Sequence, residues 1–228
     1  MSSAPFTVTN FQFDRIRTLT IFIYPDALDR QLFSTTLHDL TRLEIIHGTL
    51  ENVRIPRGEF LRHCKNLEEL ELSNVGLSFN DDFDLPRLAR ISWKESSRDH
   101  RTPLFLARLF ERAPHLKSFS FFGYYSVDME DVVLYEHNFQ PLGELTSLRV
   151  ECTSSRHGVA PLLEDPSLIP SIQHLTLPSR DIGDLLQPAK MISLTKLTLE
   201  VPLRAKFASG DGLVQRLTVL RHLQISRD

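Results

Sequence analysis

A histidine beside a cysteine, a carboxylate run and a cluster of aromatic residues are the patterns in this sequence that could do chemistry. His63-Cys64 could open a zinc site or an activated thiol, because imidazole and thiolate are zinc ligands and a neighbouring cation lowers a thiol's pKa. No second Cys or His stands at ligand spacing, however, and Cys64 fills an apolar position of a periodic pattern described below. A buried structural thiol is therefore the reading for Cys64, and nothing marks Cys152 as reactive. Asn80-Asp81-Asp82-Phe83-Asp84 lacks the Asp-x-Asp-x-Asp-Gly spacing and the distal glutamate of a calcium loop, so it reads as a solvated loop. Asp128, Glu130 and Asp131 open a predicted helix, where acidic residues are ordinary stabilisation. No Gly-x-Ser-x-Gly, His-Glu-x-x-His, Walker loop or Gly-x-Gly-x-x-Gly occurs. The sequence thus predicts no enzyme, no metal and no cofactor. What remains is recognition chemistry: Phe122, Tyr124 and Tyr125 are aromatic side chains of the kind that anchor protein interfaces. The competing expectation is that Phe122 packs on a neighbouring repeat and the tyrosines pack within a loop.

The 228 residues, 41% hydrophobic and 24% charged, suit a single globular domain spanning 1–228. Lys and Arg total 26 against 29 Asp and Glu, a net charge of -3. That balance has no broad basic field for nucleic acid and no polybasic stretch for a membrane surface. No apolar run approaches the ~20 residues of a membrane helix. Two cysteines, no Asn-x-Ser/Thr sequon and no charged-then-apolar N-terminal pattern predict a reducing compartment, cytoplasm or nucleus.

The elements that position these residues follow from a repeat. The pattern apolar-x-x-apolar-x-apolar occurs at Ile16/Leu19/Ile21, Leu40/Leu43/Ile45, Leu67/Leu70/Leu72, Leu88/Ile91/Trp93 and Leu116/Phe119/Phe121. It continues at Leu145/Leu148/Val150, Ile172/Leu175/Leu177, Leu194/Leu197/Leu199 and Leu220/Leu223/Ile225. Spacing between middle positions varies from 21 to 29 residues. The residue three before each triplet is Phe13, Leu37, Cys64, Leu85, Ala113, Leu142, Ile169, Met191 or Leu217. All are apolar, which is improbable by chance in a chain that is 41% hydrophobic.

The last two residues of each triplet lie two apart and so share one face of a short strand. The first sits on the turn leading in, and the residue three earlier closes the preceding segment on the same core. No unit can bury its apolar face alone, so the units must stack. Between triplets, Phe60/Leu61/Cys64, Leu106/Leu109/Phe110/Ala113, Val159/Leu162/Leu163 and Leu213/Val214/Leu217 have helical spacing. Pro86, Pro114 and Pro170 stand two residues before a triplet, where proline stops a helix and begins a turn. The segments Ser73 to Asp84 and Pro178 to Lys190 read as loops or single helical turns. The predicted fold is α/β: a leucine-rich-repeat solenoid, a curved right-handed β-α superhelix of about nine irregular repeats with its parallel sheet on the concave face.

The run Phe60-Leu61-Arg62-His63-Cys64-Lys65-Asn66-Leu67-Glu68-Glu69-Leu70-Glu71-Leu72 resembles the helix-to-strand unit of F-box/leucine-rich-repeat proteins, in the irregular form found in fungi. Leu109-Phe110-Glu111-Arg112-Ala113-Pro114-His115-Leu116 is similar, and as a degenerate repeat the resemblance covers essentially the whole chain. It implies a solenoid that holds a ubiquitination substrate while a separate F-box docks on a ligase scaffold. Residues 1–40 lack the Leu-Pro-x-Glu-type helical signature of an F-box. The asparagine that many such repeats carry after the strand is replaced by Tyr24, Gly48, Val75, Ser96, Tyr124, Thr153, Arg180, Pro202 and Asp228, with Asn74 one position early.

Strand alternation puts the polar residues of each repeat on the face opposite the core. From that face the partner-binding candidates are Phe22, Arg42, Glu44, Glu69, Glu71, Arg90, Lys94, Phe122, Tyr124, Arg149, Glu151, His174, Lys196, Glu200 and His222. Mixed charge suits a protein partner better than a phosphate backbone. The expected function is a protein–protein interaction module, the substrate-recognition half of a ubiquitin-ligase adaptor by resemblance. The alternative is a scaffolding repeat that self-associates. No capping segment follows the ninth triplet, which predicts self-association or a missing cap at the C-terminal end.

Overall fold

A pair of apolar residues two apart makes one half-buried strand, and the spacing of the triplets brings successive strands side by side. In the computed structural model, residues 16–23, 37–47, 53–55, 61, 63–77, 84–95, 109–123, 141–152, 165–178, 191–201 and 220–227 are described. They contain strands β1 (Thr18–Ile23), β2 (Arg42–His47), β3 (Val53–Ile55), β4 (Glu69–Ser73), β5 (Val75–Leu77) and β6 (Arg90–Glu95). β7 (Ser118–Gly123), β8 (Ser147–Cys152), β9 (His174–Pro178), β10 (Lys196–Val201) and β11 (His222–Arg227) follow. Nine of them form one parallel sheet, ordered β1-β2-β4-β6-β7-β8-β9-β10-β11, and β3 and β5 pair separately. This is a repeat solenoid with one strand per triplet.

The register reproduces the triplets residue for residue. Leu19, Leu43, Leu70, Ile91, Phe119, Leu148, Leu175, Leu197 and Leu223 lie opposite one another across the whole sheet. Ile21, Ile45, Leu72, Trp93, Phe121 and Val150 form a second row, which Leu177, Leu199 and Ile225 carry on β9 to β11. In β2 to β10 these residues are almost wholly buried. The centre of the core is aromatic. Phe119 meets Phe110 edge-on at 5.0 Å and 88°, and Phe121 meets Trp93 edge-on at 6.0 Å and 89°.

In seven repeats of the described residues, the residue three before the triplet has a structural purpose. Its carbonyl accepts a hydrogen bond from the amide of the first triplet residue, closing a tight turn: Leu40 to Leu37, Leu67 to Cys64, Leu88 to Leu85, Leu116 to Ala113, Leu145 to Leu142, Ile172 to Ile169 and Leu194 to Met191, at 3.0–3.3 Å. Both ends of the turn are buried, so it is pinned to the core by its two apolar corners. Pro86, Pro114 and Pro170 occupy the second turn position, where a fixed φ near −65° is already correct.

Among the described residues, β2, β4 and β6 to β11 then start in the same way. The two amides following the first triplet residue share one carbonyl of the preceding repeat at 2.8–3.0 Å: Thr41 and Arg42 on Arg17, Glu68 and Glu69 on Thr41, and so on to Arg221 and His222 on Thr195. Thr41, Thr146 and Thr195 add their hydroxyls to the same carbonyls. At the turns, Asn66, Ser171 and Ser193 donate side-chain bonds to His38, Gly143 and Pro170 carbonyls one repeat back. Chain reversal and repeat stacking thus satisfy the same backbone groups.

Two points differ from the sequence reading. Helix is scarce among the described residues, being confined to a turn at 109–112, isolated 3-10 positions at Leu61 and His63, and Pro166–Leu168. The helices expected over 159–163 and 213–217 lie outside the described residues. The segment after Ser73 is not a plain loop. Asn74 takes a left-handed φ of 56° and donates to the Lys94 carbonyl at 2.7 Å, sending the chain into β5, which pairs with β3. Three residues are too few to print a periodic signal. At the β11 end of the sheet the apolar pair is uncovered, with Leu223 39% and Ile225 52% exposed, and among the described residues β11 has β10 as its one strand neighbour.

Cys64 is a turn corner, fully buried, and burial pushes its thiol up to about 12. The protonated thiol is the form the fold favours. That contribution is fully present at neutral pH and is lost as pH rises above the ordinary thiol value toward 12. In a Cys152→Ser background, iodoacetamide at pH 8 is expected to alkylate folded protein on the order of 100-fold more slowly than urea-unfolded protein. Equal rates would show that the turn corner is open to solvent.

Candidate protein-binding face

Because the core residues alternate, the intervening residues form three polar rows on the other face, with strands ~4.8 Å apart. The first row reads Thr18, Arg42, Glu69, Arg90, Ser118, Ser147, His174, Lys196, His222. The second reads Thr20, Glu44, Glu71, Ser92, Ser120, Arg149, Thr176, Thr198, Gln224. The third holds Phe22, Ile46, Ser73, Lys94, Phe122 and Glu151, then Pro178, Glu200 and Ser226 on β9 to β11. Apart from Tyr124, which lies outside the described residues, every sequence-predicted candidate falls in these rows. The side chain of Glu200 is outside the described set as well.

Eight of the candidates form one connected chain of contacts. Arg42 reaches Glu69 at 3.6 Å and Glu71 at 3.8 Å from the adjacent strand. Arg90 pairs with Glu69 from the other side, and Lys94 with Glu71 at 3.8 Å. Lys94 also lies 5.6 Å from the centre of the Phe122 ring, and Arg149 lies 5.2 Å from it. Arg149 pairs in turn with Glu151. Cations and carboxylates therefore alternate from β2 to β8, with Phe122 as the hydrophobic link between two cations. At this exposure each ion pair contributes at most about 1 kcal/mol to folding. Their larger effect is to hold long side chains in defined positions, the condition for specific recognition.

The remaining candidates stand apart from that chain. Glu44 accepts a hydrogen bond from the Thr20 hydroxyl at 3.0 Å. Phe22, on the outermost strand β1, is 61% exposed. His174, Lys196 and His222 form a separate group on β9 to β11. Thr198, which strand alternation puts on the polar face, is buried at 8% exposed, and sequence reasoning did not single out the turn-edge contact of His115 Nδ1 with Glu144 Oε1 at 2.7 Å. Those two residues are 29 apart, and only the stacking of unequal repeats makes them neighbours.

Among the described residues no group of three or more His, Cys, Asp or Glu could hold a metal ion. Among them, too, no helix is long and apolar enough to cross a membrane. The sequence matches no protein-family model and no curated protein.

Proposed function

We propose that the polar face of the sheet is a protein-binding surface and that the chain acts by recognition without chemistry of its own. The observation that carries this reading is the connected network from Arg42 to Glu151, in which ion pairs and a half-buried Phe122 lock side chains across five neighbouring strands. Such preorganised, mixed-charge surfaces with a central aromatic and arginines match the composition of interface hot spots. Nine strands at ~4.8 Å give a face roughly 40 Å long, enough for an interface of standard size. The run around Cys64 and its resemblance to F-box/leucine-rich-repeat proteins support a finer reading: the repeats are of the leucine-rich type, and the partner is a ubiquitination substrate held for a ligase in cytoplasm or nucleus.

A second reading is self-association, favoured by the uncovered Leu223 and Ile225 on β11. One experiment separates the readings. Tagged protein is used for affinity capture and mass spectrometry beside a variant carrying Arg42→Glu, Glu71→Lys and Arg149→Glu, its fold checked by circular dichroism. A partner that appears with the parent and vanishes with the folded variant supports the binding face, and ligase scaffold among the captured proteins supports the adaptor reading. Capture of untagged copies of the chain by both proteins supports self-association instead. Identical foreign partners with both would remove the face from consideration.

A further inference from the structure

The polar face is electrically divided. From β2 to β8 the cations Arg42, Arg90, Lys94 and Arg149 are matched by the carboxylates Glu44, Glu69, Glu71 and Glu151. All four cations and three of those carboxylates are engaged in ion pairs, and Glu44 is held by Thr20. That part of the face is neutral and internally satisfied. From β9 to β11 the composition changes. His174, Lys196 and His222 lie opposite one another on three adjacent strands. Their neighbours in the next row are Thr176, Thr198 and Gln224, and beyond His174 on the β8 side stands Ser147. The nearest acidic position on these strands is Glu200, four residues along β10 from Lys196, or ~13 Å of extended chain. His174 and His222 are exposed, as is Arg221 just before His222, while Thr198 in the adjoining row is buried.

We infer that this His174–Lys196–His222 row receives a carboxylate-rich segment of the protein partner. The inference rests on the reading of the face as a protein-binding surface and names the partner chemistry for one end of it. Nitrogen donors spaced ~4.8 Å apart across three strands lie within reach of carboxylates on successive side chains of an extended peptide. The hydroxyl of Thr176 and the amide of Gln224 supply further donors in the adjoining row. A basic peptide would find its match neither here nor on the neighbouring strands, where the carboxylates are already engaged.

The probe is a fluorescein-labelled octaglutamate peptide titrated against the full chain by fluorescence anisotropy, with octalysine as the control peptide. Octaglutamate is expected to bind and octalysine not. Raising NaCl from about 50 to 300 mM should weaken binding about tenfold. Lys196→Glu should weaken it by at least about tenfold and Lys196→Gln by about threefold, whereas Lys65→Glu, the same charge change on a distant exposed turn, should leave it unaltered. Thermal melts establish that each variant is folded, and the salt dependence of the parent and the milder Gln variant stand if Lys196→Glu does not fold. Absence of octaglutamate binding, equal binding of octalysine, or equal weakening by Lys65→Glu would overturn the inference. Partner capture that survives those results would leave the wider binding-face reading intact. Octaglutamate binding together with capture indifferent to the β2–β8 charge reversals would sink that wider reading instead.

Discussion

Phe119→Ala is expected to lower the stability of the solenoid by about 4 kcal/mol, the largest effect of any single substitution considered. Phe119 is wholly buried and sits in the central row of the core, opposite Ile91 and Leu148. Its ring contacts Phe110 edge-on and stacks with Phe121 at 6.4 Å and 17°. Truncation removes the transfer free energy of the ring, leaves a cavity between three repeats, and deletes two aromatic contacts at once. In a stacked solenoid the neighbours on each side lose packing together, so the loss does not stay local. Urea denaturation measures it directly, and in a chain of this size Tm should fall by about 10 °C. Phe22→Ala is the matched control. The same side chain type, 61% exposed on the polar face of β1, should cost less than about 0.5 kcal/mol. If the two substitutions cost the same, the alternation of core and polar rows is wrong.

Phe122→Ala should do the opposite, sparing the fold and weakening partner binding about 30-fold. The ring is half-buried on the polar face between the Lys94 ammonium and the Arg149 guanidinium. Each cation–π contact at such exposure contributes only about 0.5–1 kcal/mol, so loss of both leaves the melting curve nearly in place. For a partner the consequence is larger. The ring is the apolar centre of the network, and without it Lys94 and Arg149 lose the surface that positions them. Affinity measured by calorimetry with the captured partner tests this, with Phe122→Tyr expected to retain most of the binding. Undiminished affinity in Phe122→Ala would exclude the ring as an anchor, leaving it as packing between repeats.

The helical spacing of Leu106, Leu109, Phe110 and Ala113 was legible, yet among the described residues it yields only the turn at 109–112. Pro114 and the buried corner at Ala113 end any helix there. β5 was not legible, because its pairing with β3 and the left-handed Asn74 are relations between repeats that a three-residue stretch does not announce. Membership of the polar face was readable from alternation alone. The contacts within it were not. Arg42 and Glu71 are 29 residues apart and Lys94 and Phe122 are 28 apart, and with a period that wanders from 21 to 29 nothing local says which charge meets which.

The sequence by itself determined what each repeat must bury. Two apolar residues two apart, with a third three before and a fourth three before that, specify a strand and a turn whose buried corners define both faces of the sheet. Tertiary structure decided everything that depends on lateral register: the ion pairs across β2 to β8, the cation-flanked Phe122 and the alignment of His174, Lys196 and His222 on β9 to β11. The physical reason is that side-chain alternation is a property of the local backbone, whereas register is set between repeats by the shared carbonyls at each strand start, whose partners are more than twenty residues away in the chain.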